Sequence, residues 1–202
     1  MELTEGPLLW FANRGTGVVL LLLLTLTTLL GVMSTRGDAG RGLPRFVTQA
    51  FHRNVSLISM ALLLAHVVTA VVDTYVDIRW WQALVPFWGS TYEPLWLGLG
   101  TLALDLMLVI VVTSLFRNRI PHRPWRAIHV LAYGSWGLSL AHGIGIGTDA
   151  QTGWATWIGI VCAGLVALAV LYRLLWLGLE AWRRNRERHH VPSYVVPAGG
   201  HR

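Results

Sequence analysis

The chain has 202 residues, of which 54% are hydrophobic and only 13% are charged, and its mean hydropathy is +0.53. A soluble domain carries about 25% charged residues, so this composition argues against a cytosolic globular protein. The net charge of +6 comes from sixteen Arg residues without a Lys. Because they lie between apolar runs, membrane topology explains them better than nucleic-acid binding. The single cysteine, Cys162, excludes an internal disulfide and a metal site built from several cysteines.

Five apolar stretches are long enough to cross a bilayer, whose ~30 Å core needs about 20 apolar residues in a helix. They lie at about residues 16–33, 47–72, 94–116, 125–146 and 154–182. The first lacks a basic leader and a small-residue cleavage site, so we expect it to be retained. The connecting segments are short, so we predict one all-α domain, residues 1–182, built as a bundle of five transmembrane helices. The basic tail, residues 183–202, is predicted to be disordered.

The distribution of Arg residues predicts the orientation of this bundle, because basic loops stay on the cytoplasmic side of a membrane. The segments after the first and third stretches and the tail are rich in Arg, whereas the other two loops are not. We therefore predict an N-terminus outside and a cytoplasmic C-terminus. The protein is predicted to be a multi-pass protein of the cell membrane, in the plasma membrane of a bacterium.

The longest predicted outer loop, residues 73–93, is rich in aromatic residues, namely Trp80, Trp81, Phe87, Trp88 and Tyr92. Trp and Tyr gather at the membrane–water interface, so an aromatic belt is the simpler interpretation. The alternative is a lid or docking surface over an outer cofactor.

Four histidines lie inside the apolar stretches, where ionisable side chains are costly and usually functional. His52 and His66 are 14 residues apart in the second stretch, and His129 and His142 are 13 residues apart in the fourth. These spacings correspond to ~21 Å and ~20 Å along the helix axes. Because the two helices run in the same direction, His52 and His129 share one depth, and His66 and His142 share another. This arrangement suits two stacked metal cofactors, each held between two helices.

Haem iron is the metal that best suits a pair of histidines, because two neutral imidazoles fill both of its axial positions. A tetrahedral zinc site would need four ligands at one depth. A step of 13 residues falls roughly 140° short of whole helical turns, so His129 and His142 would face different sides of a straight helix. A kink or π-bulge near Gly134 and Gly137, or ring planes approached from different flanks, would reconcile this spacing.

The two pairs resemble the ferric reductase-like transmembrane domain shared by ferric-chelate reductases, NADPH oxidases and the haem-bearing membrane subunit of the periplasmic methionine sulfoxide reductase system. The histidine spacings, the Arg-rich loop between the helices and the string Trp125-x3-His129-x3-Tyr133 carry the resemblance, over about residues 16–175. It implies electron transfer across the membrane through two b-type haems. It also implies that the inner haem binds His52 and His129, and the outer haem binds His66 and His142.

Haem propionates are anions, so Arg53 and Arg126 at the inner depth and Arg79 on the outer side are candidate contacts for them. Positive-inside markers or lipid-headgroup contacts are the alternative interpretation of these Arg residues. Three further polar or aromatic groups lie inside the stretches. For Asp105 and Trp136 we favour structural roles over a quinol proton path and a position between the haems, respectively. For Tyr133, packing and proximity to the inner haem stay open.

The sequence departs from NADPH oxidases because it has no Gly-rich nucleotide loop and no flavin domain after the last stretch. We therefore expect a separate electron donor, a flavoprotein or a quinol, which brings a flavin or quinone, and an extracytoplasmic acceptor. The methionine sulfoxide reductase subunit usually lacks the equivalent of His52, so its presence here favours two haems. The alternatives are a haem-bearing membrane anchor for a separate reductase and a non-redox transporter subunit. No catalytic residue is assigned, and whether the chain is itself an enzyme stays open.

Overall fold

The computed structural model describes residues 7–34, 44–74, 76, 78–147 and 153–189. Six α-helices and one short 3₁₀ helix account for most of them: α1 (Pro7–Ser34), α2 (Arg45–Val72), the 3₁₀ helix (Trp80–Ala83), α3 (Pro94–Leu115), α4 (His122–His129), α5 (Leu131–Ile146) and α6 (Gly153–His189). The described part of the chain contains no strand, so the all-α prediction is confirmed.

Four of these helices, α1, α2, α3 and α6, are long and apolar enough to cross a membrane, which indicates a membrane protein. The predicted stretch 125–146 is not one continuous helix, because it divides at Val130 into α4 and α5. The Tyr133 N–H donates to the Val130 carbonyl at 3.1 Å, three residues back instead of four. Such a tightened turn redirects a helix. The break therefore follows His129 directly, whereas Gly134 and Gly137 lie inside α5.

Two predicted boundaries need correction. The first helix begins at Pro7 instead of residue 16, with proline at the first helical position, where its missing N–H costs nothing. The last helix continues to His189, through the Arg-rich segment assigned to the tail from residue 183. Arg side chains are favourable at the negative end of a helix dipole, so this polar extension can stay helical. Residues 190–202, which were predicted to be disordered, lie outside the described residues.

The helices α1, α2 and α3 and the segment α4–α5 pair as two antiparallel hairpins. α1 packs along α2, α3 packs along α5, and α1 also contacts α5 and α6. Within the described ranges, no Cα atom of α2 lies within 8 Å of a Cα atom of α3, α4, α5 or α6. Side chains alone therefore bridge the distance between α2 and the second hairpin.

A small apolar core joins α1, α5 and α6 through Leu24, Trp136, Cys162 and Val166. The Trp136 indole N–H donates to the Thr25 hydroxyl at 3.0 Å, and both side chains are buried. Trp136 thus packs at the junction of three helices, which supports its structural interpretation.

The aromatic loop after α2 is organised around Gln82, whose side chain is buried. Its side-chain oxygen accepts from the Arg79 backbone N–H at 2.9 Å, and its amide donates to the Gly89 carbonyl at 2.8 Å. The Thr101 hydroxyl of α3 donates to the Gln82 carbonyl at 2.9 Å. These bonds attach the loop to the beginning of α3.

Aromatic residues in this loop have two kinds of environment. Phe87 adopts a left-handed φ of 62°, which is strained for a bulky side chain, and its ring lies directly against Gly98 of α3. All three residues are exposed, Phe87 by 51%, Trp80 by 68% and Trp88 by 69%. The loop therefore contacts α3 through Phe87 and presents its two Trp side chains outward.

Candidate functional site

The imidazole rings of His52, on α2, and His129, the last residue of α4, lie opposite each other. Their centroids are 6.1 Å apart, and the ring planes are inclined by 66°. We call these two residues the first pair. A metal ion bound by one nitrogen of each ring, at about 2.0–2.1 Å per bond, would separate the centroids by roughly 6 Å. The donor set of the first pair therefore fits a single metal ion between α2 and α4.

His66 of α2 and His142 of α5 form the second pair. They lie close enough for their charges to interact. On α2, the fourteen-residue step between His52 and His66 separates the two pairs by ~21 Å along the helix axis. The structure thus brings the four histidines together in two pairs at two depths.

Three of the four imidazoles make the same hydrogen bond to a backbone carbonyl of the neighbouring helix. The Nδ1–O distances are 2.9, 3.1 and 2.8 Å, for His52 with Thr27, His66 with Asn13, and His142 with Trp96. A carbonyl can only accept, so Nδ1 carries the proton, and Nε2 of the neutral ring keeps its lone pair. An outer hydrogen bond of this kind is typical of histidines that bind metals.

Glycines on the neighbouring helices keep these carbonyls accessible. Cα–Cβ bonds tilt toward the N-terminus of a helix, so the Cβ atom of residue i+4 leans over the carbonyl of residue i. Each accepting carbonyl is followed four residues later by glycine, at Gly31, Gly17 and Gly100. A Cβ atom at those positions would lie 3.4, 3.3 and 2.5 Å, respectively, from an atom of the imidazole ring. The glycines therefore allow the rings to approach the helix backbone.

His129, the fourth imidazole, is held differently. Its Nδ1 atom lies 3.4 Å from the hydroxyl of Ser114, which is a long hydrogen bond. Ser114 follows Gly100 by 14 residues and stands where the other three sites have glycine. Trp125 stacks on the His129 ring, with centroids 4.9 Å apart and planes inclined by 22°. Side chains, and not the backbone, therefore surround His129.

The two hairpins repeat one arrangement, which the sequence analysis missed. In each hairpin, one helix has two small residues 14 positions apart, and the next has two histidines 14 or 13 positions apart. The members are Gly17, Gly31, His52 and His66 in the first hairpin and Gly100, Ser114, His129 and His142 in the second. The equal spacings were visible in the sequence. Single glycines in apolar helices are too common to be noticed without the structure.

The three Arg residues predicted to contact propionates are all exposed. Arg53 follows His52 on α2, Arg126 lies one turn before His129, and Arg79 precedes the 3₁₀ helix in the outer loop. None of them has a contact with a histidine among those that the structure gives for the described residues.

Two other Arg residues interact electrostatically with His129, namely Arg117 and Arg173. Arg173 lies in an apolar part of α6, is half-buried and donates to the Tyr133 hydroxyl at 2.7 Å. The sequence analysis did not include Arg173, because nothing local to α6 indicates that this helix faces α4 and α5. Tyr133 has a hydrogen-bonding role toward Arg173, which was not among the interpretations considered for it.

Within the part of the chain that the structure describes, no acidic residue and no larger metal cluster completes these pairs. Among the described residues, no group of three or more His, Cys, Asp or Glu side chains could hold a metal ion. Asp105, half-buried in α3, has no hydrogen-bond partner within the described ranges, so the expected structural bond is not found there. Two protein ligands per metal suit haem, because the macrocycle supplies the other four nitrogens.

Comparison with known proteins identifies a matching family. A family model described as a domain of unknown function, DUF8596, matches residues 8–149, which contain α1 to α5 and all four paired histidines. No curated protein and no solved structure matches the chain. The resemblance to the ferric reductase-like domain therefore stays a prediction.

Proposed function

The chain belongs to DUF8596, a family of domains of unknown function, and we propose that it transfers electrons across a membrane through two b-type haems. The observation that carries the proposal is the first pair: two imidazoles 6.1 Å apart, on helices whose backbones do not approach each other. The second pair supports a second haem at the other depth. Three ionisable side chains inside apolar helices and a fourth at the end of α4, meeting as two pairs, are difficult to explain by packing.

When bound, a haem with two axial histidines supplies outer-sphere electron transfer without an open position for a substrate. The protein residues hold the four imidazoles in place. Carbonyls of α1 and α3 keep the Nδ1 proton on three rings, so that Nε2 is available as the ligand.

The broken segment α4–α5 makes the fifth crossing in this proposal. Its two histidines meet the two histidines of α2, which lie ~21 Å apart along their helix, so the segment covers most of the ~30 Å apolar core. With the Arg-rich segments inside, the N-terminus is outside, and the first pair lies nearer the cytoplasm. This topology corresponds to a multi-pass protein of the plasma membrane of a bacterium.

Electrons then pass from a separate donor, a flavoprotein or a quinol, to an acceptor outside. The resemblance to ferric reductase-like proteins makes ferric chelates, an extracytoplasmic flavoprotein or a molybdenum reductase the candidate acceptors. In this proposal the chain is an electron-transfer component of an oxidoreductase system, since a haem bound by two histidines would have no open position for a substrate.

The test is the amount of haem per polypeptide in the detergent-purified chain, measured by pyridine haemochrome. We expect about two b haems, falling to about one in His52→Ala and in His66→Ala, because each substitution removes one axial ligand. His201→Ala, a histidine outside the apolar stretches, is the matched control and should keep both. One haem that survives His52→Ala would restrict the proposal to the second pair. No haem after growth with ample haem supply would overturn it in favour of a transporter subunit.

A second candidate function is a haem-bearing anchor for a separate extracytoplasmic reductase. The observation that favours it is the anchored aromatic loop, in which Trp80 and Trp88 are 68% and 69% exposed. Exposed Trp side chains on a fixed loop suit a docking surface as well as a membrane interface. Vesicles that contain this chain alone, with a reduced donor inside and ferric citrate outside, distinguish the two functions. Reduction of the ferric citrate supports the conduit, and its absence in haem-loaded vesicles supports the anchor.

A further inference from the structure

Trp125, Arg117 and Arg173 carry hydrogen-bond donors, and the Trp125 ring and both Arg charges interact with His129. We propose that Trp125, Arg117 and Arg173 form a carboxylate-binding site beside His129, which receives the propionate groups of the porphyrin. This inference rests on the proposed function and replaces Arg53 and Arg126 as the predicted propionate contacts of this site.

The first observation is an unpartnered donor. The indole nitrogen of Trp125 is buried and has no hydrogen-bond partner among the described residues. An indole N–H can only donate, and buried donors in folded proteins nearly always have an acceptor. The same indole stacks on the His129 ring at a centroid distance of 4.9 Å. The missing acceptor therefore belongs beside the imidazole that would bind the iron.

The second observation is positive charge without a counter-ion. The Arg117 guanidinium lies 5.6 Å from the centroid of the Trp125 ring, and the charges of both Arg117 and Arg173 reach His129. Arg173 donates to the neutral Tyr133 hydroxyl. Within the described ranges, neither guanidinium pairs with a carboxylate. Arg173 is half-buried in an apolar part of α6, where a charged side chain is costly unless it is paired, whereas Arg117 is exposed in the segment after α3. Arg173 in particular therefore lacks an anionic partner among the described residues.

The third observation is the chemistry that such a set recognises. Guanidinium groups bind carboxylates through two parallel N–H···O bonds, and an indole N–H adds one more donor. A ligand held by the first pair that also carries carboxylates would satisfy all three side chains at once. In contrast, the electrostatic partner given for His66 among the described residues is His142, and the polar partner given for His142 is the Trp96 carbonyl. We therefore assign the carboxylate-binding site to the first pair.

The test compares haem with its dimethyl ester, in which both propionates are esterified. Each is titrated into the haem-depleted full chain carrying His66→Ala, which retains only the first pair, in nanodiscs of zwitterionic lipid. We expect haem to bind roughly tenfold more tightly than the ester, since at least one charge-assisted hydrogen bond is lost on esterification. Trp125→Phe, which keeps the stacked ring and removes the N–H, should reduce this preference several-fold. Arg173→Leu and Arg117→Leu should do the same, with the affinity for the ester unchanged.

Two substitutions serve as matched controls, Trp157→Phe for the indole and Arg186→Leu for a guanidinium on the same helix. Both should keep the full preference. Unchanged binding of the ester also shows that each variant is folded. Equal binding of haem and ester by the His66→Ala chain would overturn the inference and leave the proposed function intact. A preference that persists in all three test variants would also overturn it and assign the propionates to other residues. Binding of neither porphyrin would overturn the proposed function itself.

Discussion

The two histidine pairs are built on the same helix arrangement, but different parts of the chain hold them. In the second pair, both imidazoles donate to backbone carbonyls beside a glycine, and His66 also lies 3.2 Å from the Thr16 hydroxyl. In the first pair, only His52 does so, whereas His129 meets a serine hydroxyl and stacks on Trp125. The position of an imidazole that bonds to a backbone carbonyl depends on how closely two helices approach. The position of an imidazole that contacts side chains depends on which residues surround it. Substitutions can therefore change the hydrogen bonding of the first pair more readily than that of the second.

Among the substitutions that test this comparison, Gly100→Ala is expected to have the largest effect on haem binding. A Cβ atom there would lie 2.5 Å from Nδ1 of His142, so the ring must move away from the Trp96 carbonyl. We expect the second-pair haem to be lost and the first-pair haem to stay, giving about one haem per polypeptide by pyridine haemochrome. Gly164→Ala in α6, where an added Cβ atom meets nothing within 4 Å, is the control. Two haems with unchanged spectra in Gly100→Ala would refute the role given to this glycine.

Haem binding should be less sensitive to substitution of the glycines of α1. Cβ atoms at Gly17 and Gly31 would lie 3.3 and 3.4 Å from their imidazoles, a contact that a shift of a few tenths of an ångström relieves. We expect Gly17→Ala and Gly31→Ala to keep both haems and to bind one of them several-fold more weakly, because the Nδ1 bond lengthens. The rate of haem dissociation, measured by transfer to apomyoglobin, tests whether these two variants bind haem more tightly than Gly100→Ala does. A Gly17→Ala variant that loses haem as completely as Gly100→Ala would show that the distances do not decide the outcome.

The smallest effect is expected from Ser114→Gly, which tests the difference between the two histidine pairs most directly. This substitution gives the first pair the residue found at the other three sites and uncovers a backbone carbonyl for His129. A stronger bond from Nδ1 makes the imidazole a better donor to iron, so the midpoint potential of that haem should fall by on the order of tens of millivolts. Redox titration followed by the haem absorbance measures it.

Ser114→Ala is the matched control for this prediction. It removes the 3.4 Å hydrogen bond of the hydroxyl to His129 and keeps the Cβ atom in place. We expect its potential to change little or to rise. Equal downward shifts in both variants would mean that loss of the hydroxyl, and not access to the carbonyl, controls the potential.

Much of the fold could be predicted from local properties of the sequence. Long apolar stretches give helices because a membrane segment must satisfy its backbone hydrogen bonds internally. The pairing of His52 with His129, and of His66 with His142, follows from a constant rise per residue, which makes depth a simple function of position. These predictions use hydropathy and rise per residue, which are properties of one helix at a time.

The remainder of the site depends on contacts between helices. The break at Val130 could not be located because α4 and α5 are locally helical on both sides of it. The propionate contacts were sought near the histidines in sequence, whereas Arg173 is brought to His129 by the packing of α6. Electrostatic and hydrogen-bond partners across helices are set by rotation about the helix axes, and apolar patterns in a membrane constrain rotation only weakly.

By itself, the sequence determined that the chain is a helical membrane protein and that four histidines lie at two depths. Rise per residue and hydropathy are properties of single segments, so no neighbour was needed to deduce them. Only the tertiary structure decided that the Nδ1 atoms of His52, His66 and His142 face backbone carbonyls and which glycine lies behind each of these rings. It also decided that Trp125 stacks on His129 and that the charges of Arg117 and Arg173 act on it. Those features depend on the close approach of two helix surfaces, which one helix cannot encode alone.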